Sequence, residues 1–277
     1  MKSLLVLAST IASAVCADPA LLESGKTHQV RSEYVAPTNP AHRGIYDRLR
    51  AMHVLENLSE YLSPLRLPRE LTMTVQGCDG RINAYYWNYK ITVCYEYFDF
   101  LLKVAPLMPT PEGLSRSNAL IGMTADVFLH EAGHAVMDML EIPFLGREEE
   151  VADQFSAFVL LRMYKDDARR LILGVAYLGS TEAQREMAKP PHAMEFADIH
   201  ETPSQRYFNV LCMAYGSDPV LFSDATAYWH LPQSRAKNCS YEYRRFDYGF
   251  RKLIAPYVDF DLVADVKARG LFNFDLE

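Results

Sequence analysis

The segment FLHEAGHAVMDML, residues 128–140, confines this chain more than any other stretch. His130 and His134 stand four residues apart, so on an α-helix they project from one face, about one turn (~6 Å) along the axis. Val127, Phe128, Leu129, Ala132, Ala135 and Val136 wrap the same stretch in apolar surface and call for a buried helix. Two imidazoles and the Glu131 carboxylate are costly to bury unpaired. A metal ion shared by the two imidazoles relieves that cost, whereas core histidines with backbone partners beside a solvated Glu131 form the plainer alternative. The His-Glu-x-x-His spacing arises by chance in roughly one chain in a hundred of this length, so the weight falls on its apolar surroundings.

Two imidazoles and a carboxylate suit zinc, and a catalytic zinc needs a third protein ligand beside an open position for water. GREEEVADQF follows after a short connection, and its acidic start suits the positive end of a new helix that folds back on the first. Among Glu148, Glu149 and Glu150, Glu149 is the chosen third ligand, because Asp153 then lies one turn later on the same face, placed to accept a hydrogen bond from the far nitrogen of a ligating histidine. Glu150 is the alternative ligand. Asp138, four residues after His134, is either a further partner of this kind or the polar end of its helix.

The rest of the chain reads as one helix-rich α+β domain over residues 41–277 with a small antiparallel sheet. With 49% hydrophobic residues among 277, it has material for one substantial core. A helix is predicted from about Ala41 to Tyr61, stopped by Pro64 and Pro68. LTMTVQGC alternates as a strand, and NAYYWNYKITVCYEY reads as two strands joined by a turn near Trp87, Asn88 and Tyr89. The apolar run Ala119–Leu140 is a buried helix behind a Ser or Asn cap. Further helices are expected from about Glu148, through DDARRLILGVAYL, and from the cap pair Thr202–Pro203 to Gly216.

The net charge of −7 comes without any long basic run, which argues against nucleic acid as a partner. Residues 1–17, MKSLLVLASTIASAVCA, have the early Lys, short apolar run and small-residue end of a signal peptide, with cleavage after about Ala17. Residues 18–40 show no period and read as a loosely ordered N-terminal segment. No later stretch is long and apolar enough for an integral membrane span. A secreted or periplasmic chain is therefore expected. Its mature form would keep Cys78, Cys94, Cys212 and Cys239, an even number suited to an oxidising compartment. Of the three possible pairings, Cys78–Cys94 and Cys212–Cys239 are favoured because each closes a local loop.

His130, Glu131, His134, Glu149 and Asp153 together resemble the zincins, and within them the gluzincin pattern HExxH followed by ExxxD. More closely, INAYYWNYKITVCYEY, FLHEAGHAVMDMLEIPFLGREEEVADQF, HETPSQRYFNVLCMAYGSDP and RAKNCSYEY are similar, in that order, to a bacterial metallopeptidase family catalogued as a domain of unknown function. The resemblance implies a zinc-dependent peptidase fold and transfers that fold more safely than any substrate.

On that reading Glu131 is the general base toward a peptide or protein substrate. His200 is the first candidate to stabilise the oxyanion, Tyr207 the second, and Arg206 is also near enough in sequence. The strands NAYYWN or KITVCYEY offer an edge for an extended peptide. A metal-binding protein of the cell envelope without peptidase activity, using the same fold as a binding module, is the competing reading. His192, after Pro190 and Pro191, reads as a loop residue, and His28, His42, His53 and His230 lack ligand spacing and read as structural.

Overall fold

The computed structural model describes residues 30–189, 197–270 and 272. The signal segment 1–17 and His28 and His192 lie outside them.

Among the described residues four strands form one sheet: β1 (Val30–Tyr34), β2 (Leu71–Gln76), β3 (Ala84–Trp87) and β4 (Lys90–Cys94), in the order β1-β2-β4-β3. The sheet is mixed, which corrects the antiparallel expectation. β1 runs parallel to β2 and β2 parallel to β4, while β3 alone is antiparallel, to β4. After β2 the chain passes over to the edge, runs back as β3, and turns so that β4 inserts between β3 and β2. The turn uses Asn88 and Tyr89, both at positive φ (48° and 62°), as a two-residue hairpin with the favoured twist requires. A disulfide between Cys78 and Cys94 ties the segment leaving β2 to the end of β4. β1 lies within the stretch that looked period-less in sequence.

Among the described residues ten helices follow or interleave: α1 (Arg43–Ala51), α2 (Val54–Leu62), α3 (Tyr95–Val104), α4 (Arg116–Met139), α5 (Glu148–Leu161), α6 (Lys165–Met187), α7 (Pro203–Ser217), α8 (Asp224–Ala227), α9 (Gln233–Leu253) and α10 (Phe260–Ala268). The single helix expected over 41–61 is two, broken where His53 takes a left-handed φ of 52°. The expected strand KITVCYEY ends at Cys94, and Tyr95 opens α3 instead.

α4 is the central element. Ser115 caps it by accepting from the Asn118 N–H, and its side chains from Ala119 to Val136 are almost all buried. One side of α4 packs on β3 and β4, the other on α5 and α6, and α7 then packs on α6 and α9. α4 and α6 cross closely at Gly122 and Gly174, where a Cβ at Gly122 would run into the Leu171 carbonyl. α7 starts with a complete capping box, Thr202 with Gln205, and Pro203 in its first turn. A second disulfide, Cys212–Cys239, pins α7 to α9. Both pairings are those expected from the sequence. Among the described residues no helix is long and apolar enough to cross a membrane.

Candidate metal centre

α4 presents His130 and His134 on the face that meets α5. Gly133, between them, lets α5 come close: a Cβ there would stand 3.1 Å from the Ala152 Cα. Ala152 in turn sits between Glu149 and Asp153 on the opposing helix. Two small residues at the crossing thus bring the carboxylates of α5 to the imidazoles of α4.

The two Nε2 atoms lie 3.2 Å apart. Glu149 Oε2 is 3.2 Å from His130 Nε2 and 3.5 Å from His134 Nε2. These three residues offer ligand atoms that all lie within 4.8 Å of one another. Glu149 Oε2 is buried and has no hydrogen-bond partner apart from imidazole nitrogens. A buried anionic oxygen of this kind, with two imidazole nitrogens converging on it, fits a divalent cation. Of the two candidate glutamates, Glu149 is the one brought to the histidines. Glu150 instead accepts from Gln154 Nε2 at 3.2 Å.

Each imidazole is held from behind. His130 Nδ1 donates to Asp153 Oδ1 at 2.7 Å, and His134 Nδ1 donates to Glu148 Oε1 at 2.8 Å. An ionised carboxylate can only accept, so both rings turn Nε2 toward Glu149. Asp153 is gripped by Arg206, from Nε to Oδ2 at 2.7 Å and from Nη2 to Oδ1 at 2.6 Å. Behind this pair, Asp126 and Glu182 add negative charge around the guanidinium and, with Asp153, strengthen its hold on its proton against the effect of burial. Ser156 donates to Asp126 Oδ1 at 2.6 Å.

The protein charges alone set a clear electrostatic pattern. Burial disfavours the His130 imidazolium, but Asp153 and Glu149 outweigh it and raise its pKa to about 10. Burial likewise works against the Glu149 carboxylate, yet His130 and His134 hold it well below the usual range. The cluster is built to keep positive charge at the point where the nitrogens meet. Glu131 is 6% exposed, and burial raises its pKa, opposed by the two histidines and by the backbone N–H of Tyr86 on β3.

His200, just ahead of α7, reaches the same place. Its Nε2 is 3.2 Å from Glu149 Oε2, its ring is 46% exposed in the ion pair, and Asp198 Oδ1 accepts from its Nδ1 at 2.9 Å. Tyr207 is placed elsewhere: its hydroxyl is buried and donates to the Trp229 carbonyl at 2.7 Å. Arg206 is taken up by Asp153. Asp138 does not partner His134; its Oδ2 accepts from the Tyr86 hydroxyl at 2.6 Å, which ties α4 to β3. Glu148 stands in the sequence only as a passed-over neighbour of the chosen Glu149, and neither Tyr86 nor Asp198 is marked there as a site residue. Glu148 adjoins the chosen ligand and Asp198 precedes His200 by two, spacings too common to notice without the fold.

His130 and His134 on one helix and Glu149 on the next form a group whose ligand atoms could hold a metal ion. A family model described as "Putative metallopeptidase" matches residues 34–254, and the chain belongs to that family. No curated protein and no solved structure matches the chain.

Proposed function

We propose that the protein is a secreted zinc-dependent peptidase with His130, His134 and Glu149 as the metal ligands. The observation that supports this best is the convergence of the His130 and His134 Nε2 atoms on a buried carboxylate oxygen that has no partner apart from imidazole nitrogens. Zinc, when bound, supplies a Lewis acid that acidifies water and polarises a peptide carbonyl. The other roles belong to the chain's own side chains. Glu131 takes the proton of the attacking water and delivers it to the departing amine nitrogen as the C–N bond breaks. His200, held through Nδ1 by Asp198, lies with Nε2 3.2 Å from Glu149 Oε2 and, as the imidazolium, donates its Nε2–H to the oxyanion of the tetrahedral intermediate. Asp153 and Glu148 fix the ligand rings, and Arg206 fixes Asp153.

β3 is the sheet edge next to α4. Trp87 faces Lys90 at the hairpin, so Tyr86, one residue earlier, turns its N–H away from β4. An extended peptide laid along this edge would carry its scissile bond past Glu131. Two disulfides suit an exported protein.

The test is digestion of an unstructured protein by the zinc-loaded enzyme, with new termini mapped by mass spectrometry. Wild type should cut and Glu131→Gln should be slower by at least about 100-fold with its zinc retained. Equal cutting by the two would remove Glu131 from the mechanism. A zinc-loaded wild type that cuts nothing would favour the binding-module reading.

A further inference from the structure

Beside the metal centre lies an open cleft of about 640 Å³, lined by Tyr86, Trp87, Asn88, Tyr89, Met137, Asp138, Phe144 and Glu148. It continues the candidate active site. Glu148 holds His134, Tyr86 directs its N–H toward Glu131, and Met137 and Asp138 lie one turn beyond His134 on α4. The lining has three parts. Met137 and Phe144 are its apolar residues, Tyr86, Trp87 and Tyr89 its aromatic ones, and two carboxylates complete it with no basic residue among the lining. Each carboxylate spends one oxygen inside the protein, Asp138 on the Tyr86 hydroxyl and Glu148 on His134. Trp87 is 76% exposed at the tip of the hairpin. Arg69, which does not line the cleft, already lies over the Tyr89 ring at 5.0 Å, so this hairpin stacks with a guanidinium.

We infer that this cleft is a specificity subsite for a basic side chain, arginine above all, flanking the scissile bond of the substrate. A neutral apolar side chain would cover Asp138 and Glu148 without compensating their charge. A long basic one lays its methylene stem on Met137 and Phe144, stacks its planar cation on Trp87 and reaches the free carboxylate oxygens. The inference rests on the peptidase reading of the adjoining site.

Its test needs binding alone. Zinc-loaded Glu131→Gln is titrated by calorimetry with a blocked alanine hexapeptide carrying one arginine, and with the same peptide carrying citrulline, which keeps the shape and loses the charge. The arginine peptide should bind about tenfold more tightly, and Trp87→Ala and Asp138→Asn should each erase most of that preference. Equal binding of the two peptides, or binding of neither, overturns the subsite. If wild type nevertheless cuts peptides, the peptidase reading stands without it. A persistent arginine preference in a protein that cuts nothing supports the subsite and removes the peptidase reading instead.

Discussion

Arg206 closes two guanidinium nitrogens on the Asp153 carboxylate, and Asp153 in turn holds His130 Nδ1. The chain of contacts reaches from the first helical turns of α7 to the candidate metal ligand on α4. Removing the guanidinium frees Asp153 to rotate and unfixes the imidazole. Arg206→Met should weaken zinc binding by roughly 10- to 100-fold, with Arg206→Lys between it and wild type, because an ammonium cannot bond in the same two-pronged way. Competition with a chromophoric chelator measures this. Unchanged affinity in Arg206→Met would show that Asp153 orients His130 without Arg206.

The raised pKa of His130, about 10, gives opposite pH dependences with and without metal. A histidine whose folded pKa lies above its unfolded value stabilises the fold fully below about pH 6.5 and loses that contribution as pH rises toward 10. Chelator-treated protein should therefore lose melting temperature between pH 6.5 and 9.5. With saturating zinc the proton no longer competes, ligand affinity rises with pH, and the decline should shrink or reverse. Thermal melts across that range, with chelator and with zinc, distinguish the two. Parallel curves would contradict the site.

Gly133 makes the α4–α5 crossing possible, since a Cβ there would press on Ala152 at 3.1 Å. Gly133→Val should cost about 1–3 kcal/mol by overpacking and lower zinc affinity, because Glu149 and Asp153 move with Ala152. Urea unfolding and metal titration read the two effects. A stable variant with full zinc affinity would mean that the helices adapt without moving the ligands.

Cys212–Cys239 closes a loop of 27 residues between α7 and α9. Replacing both cysteines by serine should cost about 2–4 kcal/mol in denaturant melts under non-reducing conditions. Reductant should then no longer change the variant through this bond. A double variant as stable as wild type would make the bridge dispensable.

The metal helix and its partner were legible in the sequence because both depend on local spacing: His130 to His134, and Glu149 to Asp153, each across one helical turn. The hairpin turn and the α7 cap were legible for the same reason. What escaped depends on distant partners. The pairing of β1 with β2 joins residues about 40 apart, and no alternation in VRSEY announces it. α3 was hidden because YEYFDF carries the aromatic residues of a strand, while its helical form is decided by burial of Tyr95, Phe98 and Leu101. α9 is strongly polar along much of its length and shows itself only by what it packs against. Within the site, Arg206 and Glu148 act through rings that the sequence places 76 and 14 residues away, His130 and His134 respectively. Only the fold joins them.

The central claim is that His134 and Glu149 hold one metal ion together with His130. Metal content by mass spectrometry on purified wild type, His134→Ala and Glu149→Ala addresses it most directly. Near-stoichiometric zinc in wild type, lost in both variants while their circular dichroism stays native, is the expected result. A wild type that takes up no zinc after reconstitution, or a Glu149→Ala variant that keeps it in full, would contradict the assignment.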